Sequence, residues 1–167
     1  MDALSDVFAA VRLSGGVFLD ADGKAMDWKS TVPNGISVGV PGTVRGWHEA
    51  LTRYGTMGFD KVLAPAIRAA EEGFTVGPNF HRINTINEAK FARFSTASAL
   101  YLQDGKALPV GTHFRNPELA QTYRDLARGG VRAFYEGPIA ASMVAAVNHP
   151  PVNPGTCVIP GDLTMAD

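Results

Sequence analysis

A mainly α protein with few short strands is the fold class this sequence predicts. Several segments repeat apolar residues at three- to four-residue spacing between identifiable helix caps, whereas only residues 17–19 and 36–40 read as strands. The composition, 46% hydrophobic and 19% charged, is that of an ordinary globular chain rather than a disordered or fibrous one. At 167 residues, one domain is the default.

The elements follow in order. Leu4, Val7, Phe8 and Val11 lie at helical spacing, so a short first helix is expected over 2–13, stopped by Ser14, Gly15 and Gly16. Residues 17–19 form an extended apolar stub running into the Asp22-Gly23 turn, and the polar stretch to Gly35 continues as loop. Residues 36–40 alternate apolar and small side chains like a strand. Thr43 then offers an N-cap to a helix carrying Val44, Trp47, His48, Leu51 and Tyr54, which Gly55 ends. Phe59 and Asp60 open another helix, with Val62, Leu63, Ala66, Ile67 and Ala70 on one face and Gly73 as its C-cap. Pro65 removes a backbone donor inside it, so a start near Leu63, or two short helices, is an alternative.

From Pro78, the residues Phe80, Ile83, Ile86, Ala89 and Phe91 mark the face of a further helix, with Asn84, Asn87, Glu88 and Lys90 between them. Residues 95–102 fit either state, and Asp104-Gly105, Pro109 and Gly111 mark a turn-rich connector. Asn116 caps a helix with Pro117 at its first position, Glu118 in its first turn and Leu119, Tyr123 and Leu126 on its face, with Gly129 and Gly130 after it. Residues 133–137 read as a link, and Pro138 begins a last helix bearing Ile139, Met143, Val144 and Val147. The tail from His149 to Pro160 is rich in Pro and Gly and reads as surface loop or poorly ordered chain.

Charge and apolar patterning exclude several function classes. A net charge of -1 gives no electrostatic reason to expect nucleic acid as a partner. Gly, Pro or charge interrupts every apolar stretch well short of the roughly 20 residues a bilayer span needs, so no membrane-spanning segment is expected. The first residues lack a basic region followed by an apolar core, so no secretory signal is visible, and the compartment, cytoplasmic or exported, stays open. Cys157 is the single cysteine, which rules out an internal disulfide and a multi-cysteine metal site.

Candidate chemistry is sparse. His48, His81, His113 and His149 are far apart and form no H-x-x-x-H pair, so neither metal nor cofactor is expected and ordinary surface or core roles fit them better. Glu71 and Glu72 could be an acid/base pair, but neighbours on a helix face different ways, and a solvated charge pair is the simpler reading. Residues 39–43 form a glycine-bearing turn into a helix N-terminus that could cradle an anion, yet they lack a P-loop lysine and most dinucleotide-fingerprint glycines. Cys157 with a distant histidine is a nucleophile pair by residue type alone. There is no G-x-S-x-G elbow, and Thr43 reads as a helix cap rather than a nucleophile.

Longer motifs carry more information. Residues 37–47 (SVGVPGTVRGW), 53–56 (RYGT), 62–67 (VLAPAI) and 70–76 (AEEGFTV) resemble, in order and spacing, the large subunit of γ-glutamyltransferases. Residues 114–120 (FRNPELA), 129–140 (GGVRAFYEGPIA) and 161–167 (GDLTMAD) resemble the same family, so the likeness spans about residues 17–167. It implies a helical segment of the N-terminal-nucleophile hydrolase (αββα) fold, and the γ-glutamyl transfer and hydrolysis of glutathione metabolism. In the family a precursor cuts itself into large and small subunits, and the threonine freed at the small subunit's N-terminus attacks the γ-glutamyl amide while backbone donors hold the oxyanion.

The resemblance places that threonine in a segment outside this chain, so no catalytic residue is assigned here. The family's D-G-R-E-x-A-P segment, whose arginine grips the substrate α-carboxylate, aligns near residues 4–10, where no arginine stands. Residues 26–33 resemble that segment superficially, but too close to residues 39–42, so the arginine's role passes to neither Lys29 nor Arg12 and the substrate-binding residues stay unknown. The expected organisation is a divergent segment 1–16, a helical large-subunit region 17–148, and a tail 149–167 leading to a strand elsewhere. The expected partner is the remainder of the γ-glutamyltransferase chain, its small subunit, or a second copy through self-association. Trp47, Leu51, Leu126 and Met143 are the apolar side chains expected to lack full cover. The alternative is a free-standing truncated protein that serves as a non-catalytic binding or assembly module.

Overall fold

The computed structural model describes residues 18–20 and 22–167. The helix expected over 2–13 and the position of Arg12 lie outside the described residues. Helices dominate, and every strand is short. In chain order the elements are α1 (Trp28–Thr31), a 3-10 turn (Gly35–Ser37), α2 (Thr43–Tyr54), α3 (Phe59–Glu72), β1 (Phe74–Thr75), α4 (Pro78–Phe91), α5 (Ser95–Tyr101), β2 (Leu102–Gln103), β3 (Lys106–Ala107), β4 (His113–Phe114), α6 (Pro117–Tyr135) and α7 (Pro138–Asn148). β1 pairs antiparallel with β4, and β2 with β3 around the Asp104-Gly105 turn.

α6 is the hub: it lies along α3 and also contacts α2 and α7. Its N-terminus follows the sequence, because the Asn116 side chain accepts from the Leu119 N–H at 3.0 Å and Pro117 occupies the first position. Gly130, at φ 61°, breaks the helix as expected, but helical geometry resumes and runs to Tyr135, so the link expected over 133–137 is mostly helix. Val44 of α2, Leu63 of α3 and Leu126 of α6 form the buried centre, with Phe59, Ile67, Tyr123 and Phe134 packed around it. Leu126, expected to lack cover, is 1% exposed because α3 lies over it, whereas Trp47 remains 46% exposed.

α3 is one helix despite Pro65. The proline deprives only the Lys61 carbonyl of its intrahelical donor, and both residues face solvent, where water can replace the bond. At its other end Gly73 takes φ +85°, and the last four carbonyls all find donors. Ala69 accepts from Gly73 N (3.1 Å), Ala70 from Asn116 N (2.9 Å), Glu71 from Arg115 Nε (2.7 Å) and Glu72 from His113 Nε2 (2.7 Å). The strand and loop around β4 therefore terminate α3.

α4 exists where the periodicity placed it, but of the expected face only Phe80 and Phe91, near its two ends, pack inward. Ile83 and Ile86 are 45% and 68% exposed, while Asn84 is buried. The cause is an aromatic cluster of Phe74, Phe80, Phe91, Tyr101 and Phe114, with ring centroids 4.8 to 6.5 Å apart, which holds the helix by its two ends. Between those ends Glu88 Oε1 accepts from Ala107 N at 2.9 Å and turns the polar middle of α4 toward β3.

Among the described residues neither expected strand forms a ladder. Leu19 makes one isolated bridge with Ala25, and residues 36–40 begin in the 3-10 turn, pass through an extended Val38 and are not assigned to any strand. The stretch expected as loop before Gly35 contains α1, because the Asp27 side chain accepts from Ser30 N at 3.0 Å and nucleates one turn. The C-terminal tail is irregular but bonded along its length: Pro151 O accepts from Ser95 N, Asn153 N donates to Arg93 O, and Ile159 O accepts from Gly35 N.

Candidate functional site

The residues singled out in the sequence do not converge. His48 stacks on Phe59 with centroids 6.0 Å apart, His81 Nδ1 bonds Leu108 O at 2.9 Å, His113 caps α3, and His149 ends α7. Among the described residues no group of three or more His, Cys, Asp or Glu could hold a metal ion. Glu71 is paired with Arg124, and the backbone carbonyls of Glu71 and Glu72 are tied to Arg115 and His113, so the two glutamates serve the end of a helix. Cys157 is exposed and joins the fold through its carbonyl, which accepts from Arg93 Nη2 at 2.8 Å. Lys29 sits exposed in the last turn of α1.

The turn at residues 39–43 is where the structure departs most from the local reading. Thr43 is not the cap of α2: Gly42 holds that position and no side-chain cap bond forms. The hydroxyl of Tyr135, brought from 90 residues away, accepts from Arg45 N at 3.3 Å and donates to Pro41 O. Arg45 lies over the Tyr135 ring with its guanidinium carbon 5.5 Å from the centroid. No local signal marks Tyr135, because its partners are supplied by the packing of α6 on α2.

Beside this junction lies a small apolar cavity of about 40 Å³, bounded by Val40, Pro41, Met143, Val144 and Leu163. At its rim Asp167 accepts from both Thr164 N and Thr164 Oγ1 at 2.8 Å, and the backbone bond in particular lowers its carboxyl below the ordinary range. A cavity of this size takes one or two small apolar groups, not a peptide substrate.

The profile of the gamma-glutamyltranspeptidase family matches residues 8–167. The chain belongs to that family. It is 33% identical over 127 residues to the glutathione hydrolase proenzyme of Bacillus subtilis (strain 168), a match covering 76% of this chain and 22% of the relative. It is 35% identical over 126 residues to the acylase ACY 1 proenzyme of Pseudomonas sp. (strain V22), covering 74% and 23%. The crystal structure of Helicobacter pylori gamma-glutamyltranspeptidase aligns with a TM-score of 0.74 at 25% identity, over 80% of this chain and 38% of that one.

The chain thus spans under a quarter of the length of these curated relatives. The likeness to the solved enzyme identifies the helices as part of the family's N-terminal-nucleophile hydrolase fold. Among the described residues no helix is long and apolar enough to cross a membrane.

Proposed function

We propose that this chain is a large-subunit segment of an enzyme that transfers or hydrolyses γ-glutamyl groups, and that alone it is inactive. The observation that carries the reading is the family match over residues 8–167 combined with coverage of only 22% of the Bacillus subtilis proenzyme. In this reading residues 17–148 supply the helical layer and part of the cleft wall, and the small subunit, with its threonine, comes from the rest of the polypeptide. Residues 1–16 form a divergent leading segment, and residues 149–167 lead toward a strand of that remainder. Hydrolysis of the γ-glutamyl amide would need a nucleophile, a base and oxyanion donors in mutual reach. The histidines, Thr43 and Cys157 each stand in a structural or isolated position instead.

The test is incubation of the purified chain with γ-glutamyl-p-nitroanilide, alone and together with the polypeptide encoded by the flanking DNA. Nitroaniline release is expected only from the combination. Release by the chain alone that co-purifies with it refutes the proposal. Stop codons closing both ends of the reading frame would favour the free-standing module instead.

A further inference from the structure

Asn34-Gly35 is the one Asn-Gly pair in the sequence. Such a pair is open to an internal reaction, because glycine carries no Cβ to keep its amide nitrogen away from the asparagine side chain. The glycine nitrogen attacks the asparagine Cγ, the Cγ–Nδ2 bond breaks, and ammonia leaves with the proton from the glycine nitrogen. Water then opens the cyclic imide at either carbonyl, giving aspartate or an isoaspartate whose main chain is one methylene longer. The fold demands glycine at this position: a Cβ on residue 35 would meet the Gly161 nitrogen and stand 2.5 Å from the Val147 carbonyl oxygen. Close packing of the 3-10 turn on the C-terminal tail therefore imposes the labile pair.

The same packing ties down the atoms that would react. Gly35 N, the nucleophile, donates its proton to Ile159 O at 2.8 Å. Asn34 Oδ1 accepts from Ile159 N at 2.9 Å, and Nδ2, the leaving group, donates to Ser30 O at 2.6 Å and Thr31 O at 3.0 Å. The carboxamide is thus bonded on both sides and cannot rotate to present Cγ to the Gly35 nitrogen without giving up these bonds. Asn34 is 8% exposed, so water does not replace them in place. Both ties to the tail come from the main chain of Ile159, whose side chain is 41% exposed, and Gly161 N fixes the tail again by donating to Val147 O at 2.9 Å.

We propose that Asn34-Gly35 is a latent deamidation site which the C-terminal tail keeps closed through Ile159, and that its modification releases the tail irreversibly. The irreversibility follows from the products. An aspartate at position 34 has only acceptors, so an oxygen replaces the donor that faces Ser30 O and Thr31 O, and a charge enters a buried place. An isoaspartate lengthens the main chain where there is no slack: a Cβ on Gly161 would stand 2.6 Å from Gly35 O, as tight as the approach from the other side. Either product opposes re-closure. A local opening of the tail exposes the pair, and reaction then holds the tail open.

Mass spectrometry of the peptide carrying residues 34 and 35 reads the reaction, with the chain incubated in neutral buffer and in guanidinium chloride. The folded chain is expected to deamidate at least about 10-fold more slowly than the unfolded one, as for a group reached only by local opening. Ile159→Pro deletes the N–H that holds Asn34 Oδ1 and keeps the carbonyl, and is expected to raise the folded rate about 5-fold, the worth of one net hydrogen bond. Circular dichroism checks its helix content. If that variant does not fold, the parent chain below its denaturation midpoint decides: deamidation must rise together with exchange of the Gly35 amide and ahead of exchange of the Leu126 amide in the core. Asn34→Asp supplies one product and is expected to speed exchange of the Ile159 and Gly161 amides on the order of 10-fold. Equal rates in folded and unfolded chain, an unchanged rate in a folded Ile159→Pro variant, or deamidation that tracks the Leu126 amide overturns the closure by the tail. An Asn34→Asp chain whose tail amides exchange as in the parent overturns the release.

Discussion

Replacing Tyr135 by phenylalanine removes one oxygen and leaves the ring in place under Arg45. Two hydrogen bonds go with it. The bond to Pro41 O is part-buried, and its loss leaves a carbonyl that water reaches poorly; a net hydrogen bond of this kind contributes about 1–1.5 kcal/mol. The bond from Arg45 N is 3.3 Å and exposed, so water largely replaces it and about 0.5 kcal/mol is the larger estimate. The sum, about 1.5–2 kcal/mol, corresponds to a fall in melting temperature of roughly 3–8 °C for a chain of this size. Thr43→Ala is the counter-experiment. As an N-cap, Thr43 would lose about 1 kcal/mol on truncation; as an exposed residue without a cap bond it is expected to lose under about 0.5 kcal/mol. Urea unfolding followed by circular dichroism reads both variants. A Tyr135→Phe variant as stable as the parent, or a Thr43→Ala variant that loses more than Tyr135→Phe, would show that the start of α2 is held locally and the tyrosine is incidental.

Other positions give independent checks. Gly73→Ala puts a Cβ 2.3 Å from the Phe114 carbonyl oxygen on a backbone at φ +85°, and a loss above about 2 kcal/mol by urea titration is expected; no change would mean that the strand end is free to move. Leu126→Ala removes the most deeply buried leucine of the α3–α6 interface and is expected to cost about 2–5 kcal/mol, with a value below 1 kcal/mol indicating a loose core. The Ala107 N–H, and secondarily Lys106 at 3.6 Å, hold the Glu88 carboxyl below its ordinary value, although partial burial opposes them. This stabilisation is present above the unfolded glutamate value of about 4.3 and disappears as pH falls through the depressed folded value. The stability difference between the parent chain and Glu88→Gln is therefore expected to shrink on acidification through that range, and a difference that stays constant refutes the assignment.

The limits of local reading show in particular residues. Asn116 with Pro117, and Gly55 and Gly73 after their apolar runs, determined where α2, α3 and α6 begin or end, because caps and glycine stops act through bonds and sterics within a few residues. The motif order from residue 37 to 167 determined the family for the same reason: it is carried by the linear sequence. The orientation of α4 was not legible. Its apolar stripe is real, but the five-ring cluster joins residues from Phe74 to Phe114 and outweighs two isoleucines, a competition that only the assembled chain can decide. The cover of Leu126 by α3, the capping of α2 by Tyr135 and the satisfaction of the α3 carbonyls from residues 113–116 likewise depend on partners distant in sequence. Residues 36–40 show the reverse case. Their alternation specifies a strand-compatible backbone, but a ladder needs a neighbour, and tertiary structure decides whether one is present.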